Sequence, residues 1–80
     1  MLDVNKIIKI IAKATKVKIK DISLNSKLGD FEGWDSLGHL MILIKIDKVT
    51  KGKASKISNL AAQNSARNIH KILKKNKLSK

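Results

Sequence analysis

The sequence predicts an all-α fold, a small four-helix bundle with three principal helices, one short helix and a long loop after the first helix. Several stretches have apolar residues at the spacing of one helix face, and side chains that cap helices precede them. The chain has 80 residues and contains no proline, so nothing marks a linker between two domains. We therefore expect one domain over residues 1–80, with its core at about 4–74 and a frayed, basic C-terminal tail.

The first helix is predicted at about residues 3–15. Apolar residues recur there at the spacing i, i+3, i+4 and i+7, and Asp3 is a candidate N-cap. Residues 16–33 differ, because their apolar residues are irregularly spaced and are interrupted by aspartate, serine, asparagine and glycine. We predict a long ordered loop that is held on the bundle by its apolar side chains, with Trp34 as one anchor.

The second helix is predicted at about residues 36–51, with Asp35 as its N-cap. Four of its apolar residues form a stripe along one side: Leu37, Leu40, Met41 and Ile44. We interpret this stripe as part of the core, and contact with a partner is the alternative. Four more apolar residues widen the apolar surface around the helix: Ile42, Leu43, Ile46 and Val49. Such a helix is either central in the bundle or carries an exposed apolar flank.

The remaining residues predict a connection, a short helical turn and a closing helix. The connection covers residues 50–56, the turn lies at 58–63, and Ser65 is a candidate cap for the last helix. Only Phe31 and Trp34 are aromatic, so the core must consist mainly of isoleucine, leucine, valine and alanine. Because there is no cysteine, neither disulfides nor a zinc–thiolate site can add stability.

The formal net charge is +12, which raises the possibility of binding to nucleic acid or to an anionic membrane surface. The charge lies mainly after Asp35, where ten lysines and Arg67 are opposed by Asp47 alone. Specific nucleic-acid recognition is disfavoured, because the basic residues are almost all lysine and no aromatic residues lie among them for base stacking. We expect a cytoplasmic protein without a signal peptide or a membrane span.

The segment "WDSLGHL", Trp34 to Leu40, resembles the Asp-Ser-Leu signature of the acyl carrier protein family. The preceding "LNSKLGDFEGWDSL" is similar to the approach to that signature in many stand-alone carriers. The tripeptide alone is a weak motif. Its position strengthens it, because the serine falls at a predicted junction between loop and helix in an all-α chain of 80 residues.

The resemblance implies that Ser36 carries a covalent 4′-phosphopantetheine arm derived from coenzyme A. It implies a non-enzymatic, monomeric carrier that shuttles an acyl or aminoacyl thioester between enzymes of a fatty-acid, polyketide or other specialised pathway. Asp35 would help a phosphopantetheinyl transferase to position its metal and the serine hydroxyl. The chain itself would contribute no catalytic residue and no metal ligand. Partner or acyl contacts would come from the second helix: Leu37, Leu40, Met41, Ile44, Lys45 and Lys48.

The sequence departs from the family in its charge, because acyl carriers are typically acidic on the second helix. Here that helix has Lys45 and Lys48 with only Asp47 opposed. We therefore expect partner enzymes with neutral or acidic docking surfaces. His39 is interpreted as a solvated surface residue, with approach to the phosphate as the alternative. Two competing functions remain: a small basic helical module for nucleic acid or anionic membrane, and a carrier-like domain that is no longer modified.

Overall fold

The computed structural model describes residues 2–80, and the described chain is all-α with three α-helices. Helix α1 spans Val4–Thr15, α2 spans Ser36–Val49 and α3 spans Ala66–Lys75. Three short 3₁₀ turns lie between them, at Ile19–Asp21, Ala54–Lys56 and Leu60–Ala62. No β-strand occurs in residues 2–80, and none of the helices there is long and apolar enough to cross a membrane.

Helix α1 begins and ends as its sequence predicts. The Asp3 carboxylate accepts a hydrogen bond from the Lys6 N–H at 2.8 Å, which satisfies one of the N–H groups that a helix leaves unpaired. Ile7 and Ile11 are fully buried on the predicted apolar face. At the other end Lys16 adopts the left-handed conformation, with φ of 59°, and turns the chain away from the helix axis.

The loop between α1 and α2 is ordered, as predicted, and it is attached to the beginning of α3. The Leu28 N–H donates to the Asn64 carbonyl at 2.8 Å, and the Ala66 N–H donates to the Ser26 carbonyl at 2.9 Å. Trp34 has no exposed surface, which confirms it as an anchor of the loop. These contacts hold the chain in place immediately before α2.

Helix α2 is two residues shorter than predicted because Thr50 ends it. The Thr50 hydroxyl donates to the Ile46 carbonyl at 2.8 Å and accepts from the Ala54 N–H at 3.1 Å. The following Lys51 and Gly52 have positive φ, at 55° and 84°, and reverse the chain. Threonine is able to pair with the backbone in this way, in competition with helix continuation.

The short fourth helix of the prediction is represented by two 3₁₀ turns. Leu60–Ala62 falls inside the predicted turn at 58–63, whereas Ala54–Lys56 lies in the stretch that was predicted to be a plain connection. Each turn has three residues, and each contributes one buried apolar side chain, Ala54 or Leu60. Burial of a single side chain per turn is enough to hold the connection but gives no extended apolar face that would favour an α-helix.

The prediction of a frayed C-terminal tail was wrong, because residues 76–80 fold back and pair with the beginning of the chain. The Lys80 N–H donates to the Leu2 carbonyl at 2.8 Å, and Leu2 forms an isolated parallel bridge with Ser79. Leu2 and Ser79 are both buried, with 5% and 4% of their surface exposed. The paired residues lie at opposite ends of the sequence, so the spacing of apolar residues does not predict their contact.

Candidate functional site at the beginning of helix α2

Ser36 is the first residue of α2 and lies on the surface, as the sequence predicts. The Asp35 carboxylate oxygen Oδ1 accepts a hydrogen bond from the Gly38 N–H at 2.8 Å, so Asp35 is the N-cap. The first N–H groups of a helix lack intrahelical acceptors, and the helix dipole places partial positive charge there. An anionic group on Ser36 would therefore lie in a favourable field.

Two glycines bring the beginning of α2 into close contact with the end of α1. A Cβ atom on Gly33 would collide with the carbonyl oxygen of Thr15, and a Cβ atom on Gly38 would collide with the carbonyl oxygen of Gly33. The three backbone segments are therefore stacked closely, and only glycine fits at the two positions. This contact holds the backbone of Asp35 and Ser36 between two fixed points.

Sequence reasoning assigned no role to these glycines. The sequence pattern predicts only that Gly33 lies in the loop, and it predicts nothing about Gly38. A glycine in the first turn of a helix is the one available signal, because glycine is unfavourable inside helices unless close packing requires it. That signal indicates a close approach without identifying its partner, since Thr15 is distant in sequence.

Trp34 and His39 form a buried pair beneath the site, so the interpretation of His39 as a solvated residue was wrong. The Trp34 indole Nε1–H donates to His39 Nδ1 at 3.2 Å, and the two rings lie nearly parallel at an interplanar angle of 16°. Only 7% of the His39 surface is exposed. His39 lies with Gly38 on the side of α2 that packs against the bundle, so its ring points inward. It therefore does not approach an anion on Ser36.

The hydrogen bond from Trp34 determines which nitrogen of His39 carries the proton. Because Nδ1 accepts, the neutral ring is protonated at Nε2, which is buried and has no hydrogen-bond partner within residues 2–80. Burial lowers the pKa of His39 below its ordinary value of 6.5, although the nearby backbone carbonyls of Ala61 and Gln63, which do not complete a hydrogen bond with Nε2, act in the opposite direction. His39 therefore favours the neutral form, and the charged form would lose the bond with Trp34.

The interpretation of the α2 stripe as core was also wrong, because its four side chains lie on the surface. The exposed fractions are 67% for Leu37, 51% for Leu40, 40% for Met41 and 48% for Ile44. Ile42 and Ile46 are fully buried instead. Apolar residues surround α2, so periodicity could not select a side. In the structure the buried side is the one that carries Gly38, Ile42 and Ile46.

We call the exposed side chains of Leu37, Leu40, Met41 and Ile44 the α2 apolar face. It begins directly after Ser36 and follows the helix for two turns. Lys45 is half-buried and Lys48 is exposed, so basic groups follow the face toward the end of α2. The only acid on α2, Asp47, accepts a hydrogen bond from the Ser55 N–H at 3.1 Å. The face is a contiguous apolar surface of the kind that protein–protein contacts use.

A small cleft of about 280 Å³ opens between α2 and the two 3₁₀ turns that follow it. Its apolar lining includes Leu43 and Ile44 of α2, with Ile57 and Leu60 on the opposite side. Ile44 thus belongs both to the α2 apolar face and to the wall of this cleft. Residues 2–80 contain no group of three or more histidine, aspartate or glutamate side chains that could hold a metal ion.

Comparisons with known protein families, curated proteins and solved structures find no match for this chain. The family resemblance therefore depends on the residues around Ser36 and on the order of the predicted helices.

Proposed function

We propose that this chain is a carrier protein in which Ser36 bears a 4′-phosphopantetheine arm. The observation that carries the proposal is the exposed Ser36 hydroxyl at the first position of α2, on a backbone held by the close contacts of Gly33 and Gly38. When attached, the arm would supply a terminal thiol that holds an acyl or aminoacyl group as a thioester. The chain would act by presenting that group to other enzymes, not by catalysis.

The local electrostatics support attachment at Ser36. A phosphodiester there would lie beside the N–H groups and the positive end of the α2 dipole. The cap uses Oδ1 of Asp35, and a carboxylate has a second oxygen that can face the metal of a transferase. Asp35 would thus present both its own carboxylate and the adjacent hydroxyl in a fixed geometry. No base of the chain is required, because the transferase would supply the proton transfer.

The α2 apolar face supports a second part of the proposal, contact with partner enzymes. Its apolar side chains begin beside the attachment point, so a partner that covers Leu37 and Leu40 would also reach the arm. Partners should present neutral or acidic surfaces toward Lys45 and Lys48, because like charges would slow their encounter with the chain. The cleft behind Ile44 offers an apolar space for part of an acyl chain.

Intact mass tests the attachment. The chain is incubated with coenzyme A, magnesium and a broad-specificity phosphopantetheinyl transferase, and the mass is expected to rise by one phosphopantetheine group. Ser36→Ala should show no increase. Ser58→Ala, which removes another exposed serine hydroxyl, should be modified like the wild type. An unchanged wild-type mass, or modification that persists in Ser36→Ala, would refute the proposal.

A further inference from the structure

A second concave surface lies at the far end of α2 from Ser36. It is a groove of about 580 Å³ between α1, the end of α2 and the paired chain ends. Val49 lines the groove and is the last residue of α2, so it lies roughly 20 Å along the helix from Ser36 at 1.5 Å per residue. The groove is therefore separate from the candidate attachment site.

The groove combines an apolar lining with a basic rim. Four apolar side chains contribute to the lining: Leu2, Ile10, Val49 and Leu78. Five lysines also contribute to it: Lys6, Lys9, Lys51, Lys53 and Lys77. No acidic residue is among the described residues that line the groove. An apolar concavity surrounded by positive charge is complementary to a molecule that has an alkyl chain and an anionic head.

The positions of the lysines concentrate their charge. Lys6 and Lys9 are three residues apart on α1, which places them on neighbouring parts of one helix surface. Lys51 and Lys77 both have positive φ, at 55° and 61°, a conformation that glycine or asparagine adopts at lower cost. Both lysines lie directly after the C-caps of their helices, so the chain reversals that end α2 and α3 bring these two charges to the groove.

We propose that this groove binds an anionic single-chain amphiphile, a molecule with one alkyl chain and a carboxylate or phosphate head. The alkyl chain lies against Ile10, Val49 and Leu78, and the head is held by the lysine ammonium groups. The groove has walls from three chain segments and a volume within the range of small-molecule sites, which favours a single bound molecule over a flat bilayer surface. The inference is independent of the proposed carrier function.

The test is an NMR titration of the ¹⁵N-labelled full chain with dodecanoate and with dodecyl phosphate, each below its critical micelle concentration. Both are expected to bind with one-to-one stoichiometry and to shift the amide signals of the groove residues. Inorganic phosphate, which is the head alone, and neutral dodecyl maltoside below its critical micelle concentration should each bind at least about tenfold more weakly, because each lacks one of the two complementary parts.

Matched variants separate the groove from the net charge of the chain. Lys9→Gln combined with Lys53→Gln should weaken binding of dodecyl phosphate by about tenfold, because each exposed ion pair contributes modestly. Lys18→Gln combined with Lys20→Gln removes the same charge from the exposed loop outside the groove and should change binding less than about twofold. Val49→Asn should weaken binding, whereas Ile19→Asn, also at an exposed apolar residue, should not.

Three results would overturn the proposal. The first is equal weakening by both lysine pairs, which would indicate attraction to net charge alone. The second is binding to anionic vesicles without binding to the monomeric amphiphile, which would indicate a membrane surface. The third is a change of amide signals confined to the α2 apolar face, which would place the amphiphile outside the groove. Ser36→Ala should bind the amphiphile like the wild type, so failure here is distinguishable from failure of the carrier proposal.

Discussion

Helices α1 and α2 are of similar length and begin with the same kind of cap, but they use their apolar residues differently. In α1 the fully buried side chains, Ile7 and Ile11, come from the one apolar face that the sequence shows. In α2 apolar residues surround the helix, and only Ile42 and Ile46 are fully buried among them. The fold therefore uses one side of α2 and leaves the other free for a different role.

This contrast distinguishes apolar residues that stabilise the fold from apolar residues that the fold does not use. An apolar side chain on α1 is explained by the core. The apolar face of α2 is not explained by the core, and it adjoins the exposed Ser36. Exposed contiguous apolar surface is unfavourable for solubility, and the carrier proposal assigns this face to contact with partner enzymes.

The largest expected effect comes from two isoleucines on α2 that are two positions apart. Ile46→Ala should lower the free energy of unfolding by about 2–5 kcal/mol, because Ile46 is fully buried and its truncation leaves a cavity. Ile44→Ala should change it by less than about 0.5 kcal/mol, because Ile44 is 48% exposed. Urea denaturation followed by circular dichroism measures both. Equal losses of unfolding free energy in the two variants would mean that the fold does not use one side of α2 more than the other.

The next effect tests the close contact between the first turn of α2 and the loop before it. Gly38→Ala should destabilise the chain by about 1–3 kcal/mol, because the added methyl group collides with the Gly33 carbonyl. The sign of this change in unfolding free energy is informative, because replacing glycine by alanine inside a helix normally stabilises it by roughly 1 kcal/mol. Ser36→Ala in the same turn, at an exposed position, is the control and should have little effect. A Gly38→Ala variant as stable as the wild type would contradict the packing described here.

The two caps provide a matched comparison of the helices. Asp3 and Asp35 each accept a backbone N–H at 2.8 Å, so Asp3→Ala and Asp35→Ala should each cost about 1 kcal/mol of unfolding free energy. Under the carrier proposal only Asp35→Ala should also slow modification of Ser36 by a transferase. Thermal denaturation and the rate of mass increase measure the two effects. Slowing by both variants would indicate that loss of stability, not the carboxylate, is responsible.

The smallest effect concerns pH and His39. Its pKa in the folded chain lies below its ordinary value of 6.5, so the unfolded chain binds the proton more strongly. The contribution of neutral His39 to stability is thus complete above about pH 6.5 and is lost as the pH falls toward the lower folded pKa. Urea denaturation between pH 7.5 and pH 5, taken as approximate limits of the range in which histidine titrates, should show this decline.

His39→Gln is the matched variant for that measurement. Glutamine has a side-chain carbonyl that can accept from the Trp34 indole and does not titrate, so the decline below pH 6.5 should become shallower. Because Trp34 is the only tryptophan, its fluorescence reports the same event directly. An unchanged pH profile in His39→Gln would assign the decline to other groups.

Features that depend on a few neighbouring residues follow from the amino-acid sequence alone. Helix α1, its Asp3 cap, the Asp35 cap and the position of Ser36 were all predictable, because a cap bonds to an N–H three residues away. The anchoring by Trp34 was also predictable, since a large aromatic side chain in a small chain is favoured in the interior.

Three features follow only from contacts in the folded chain: which side of α2 is buried, where His39 points and how the chain ends pair. They depend on contacts that a helix pattern does not reveal: Gly33 meets Thr15 and Leu2 meets Ser79 across long stretches of sequence, and Gly38 meets the loop at Gly33. Where apolar residues surround a helix, the direction of approach of its neighbour selects the buried side. Here the small Gly38 allows that approach, and the apolar face beside Ser36 is left exposed as a consequence.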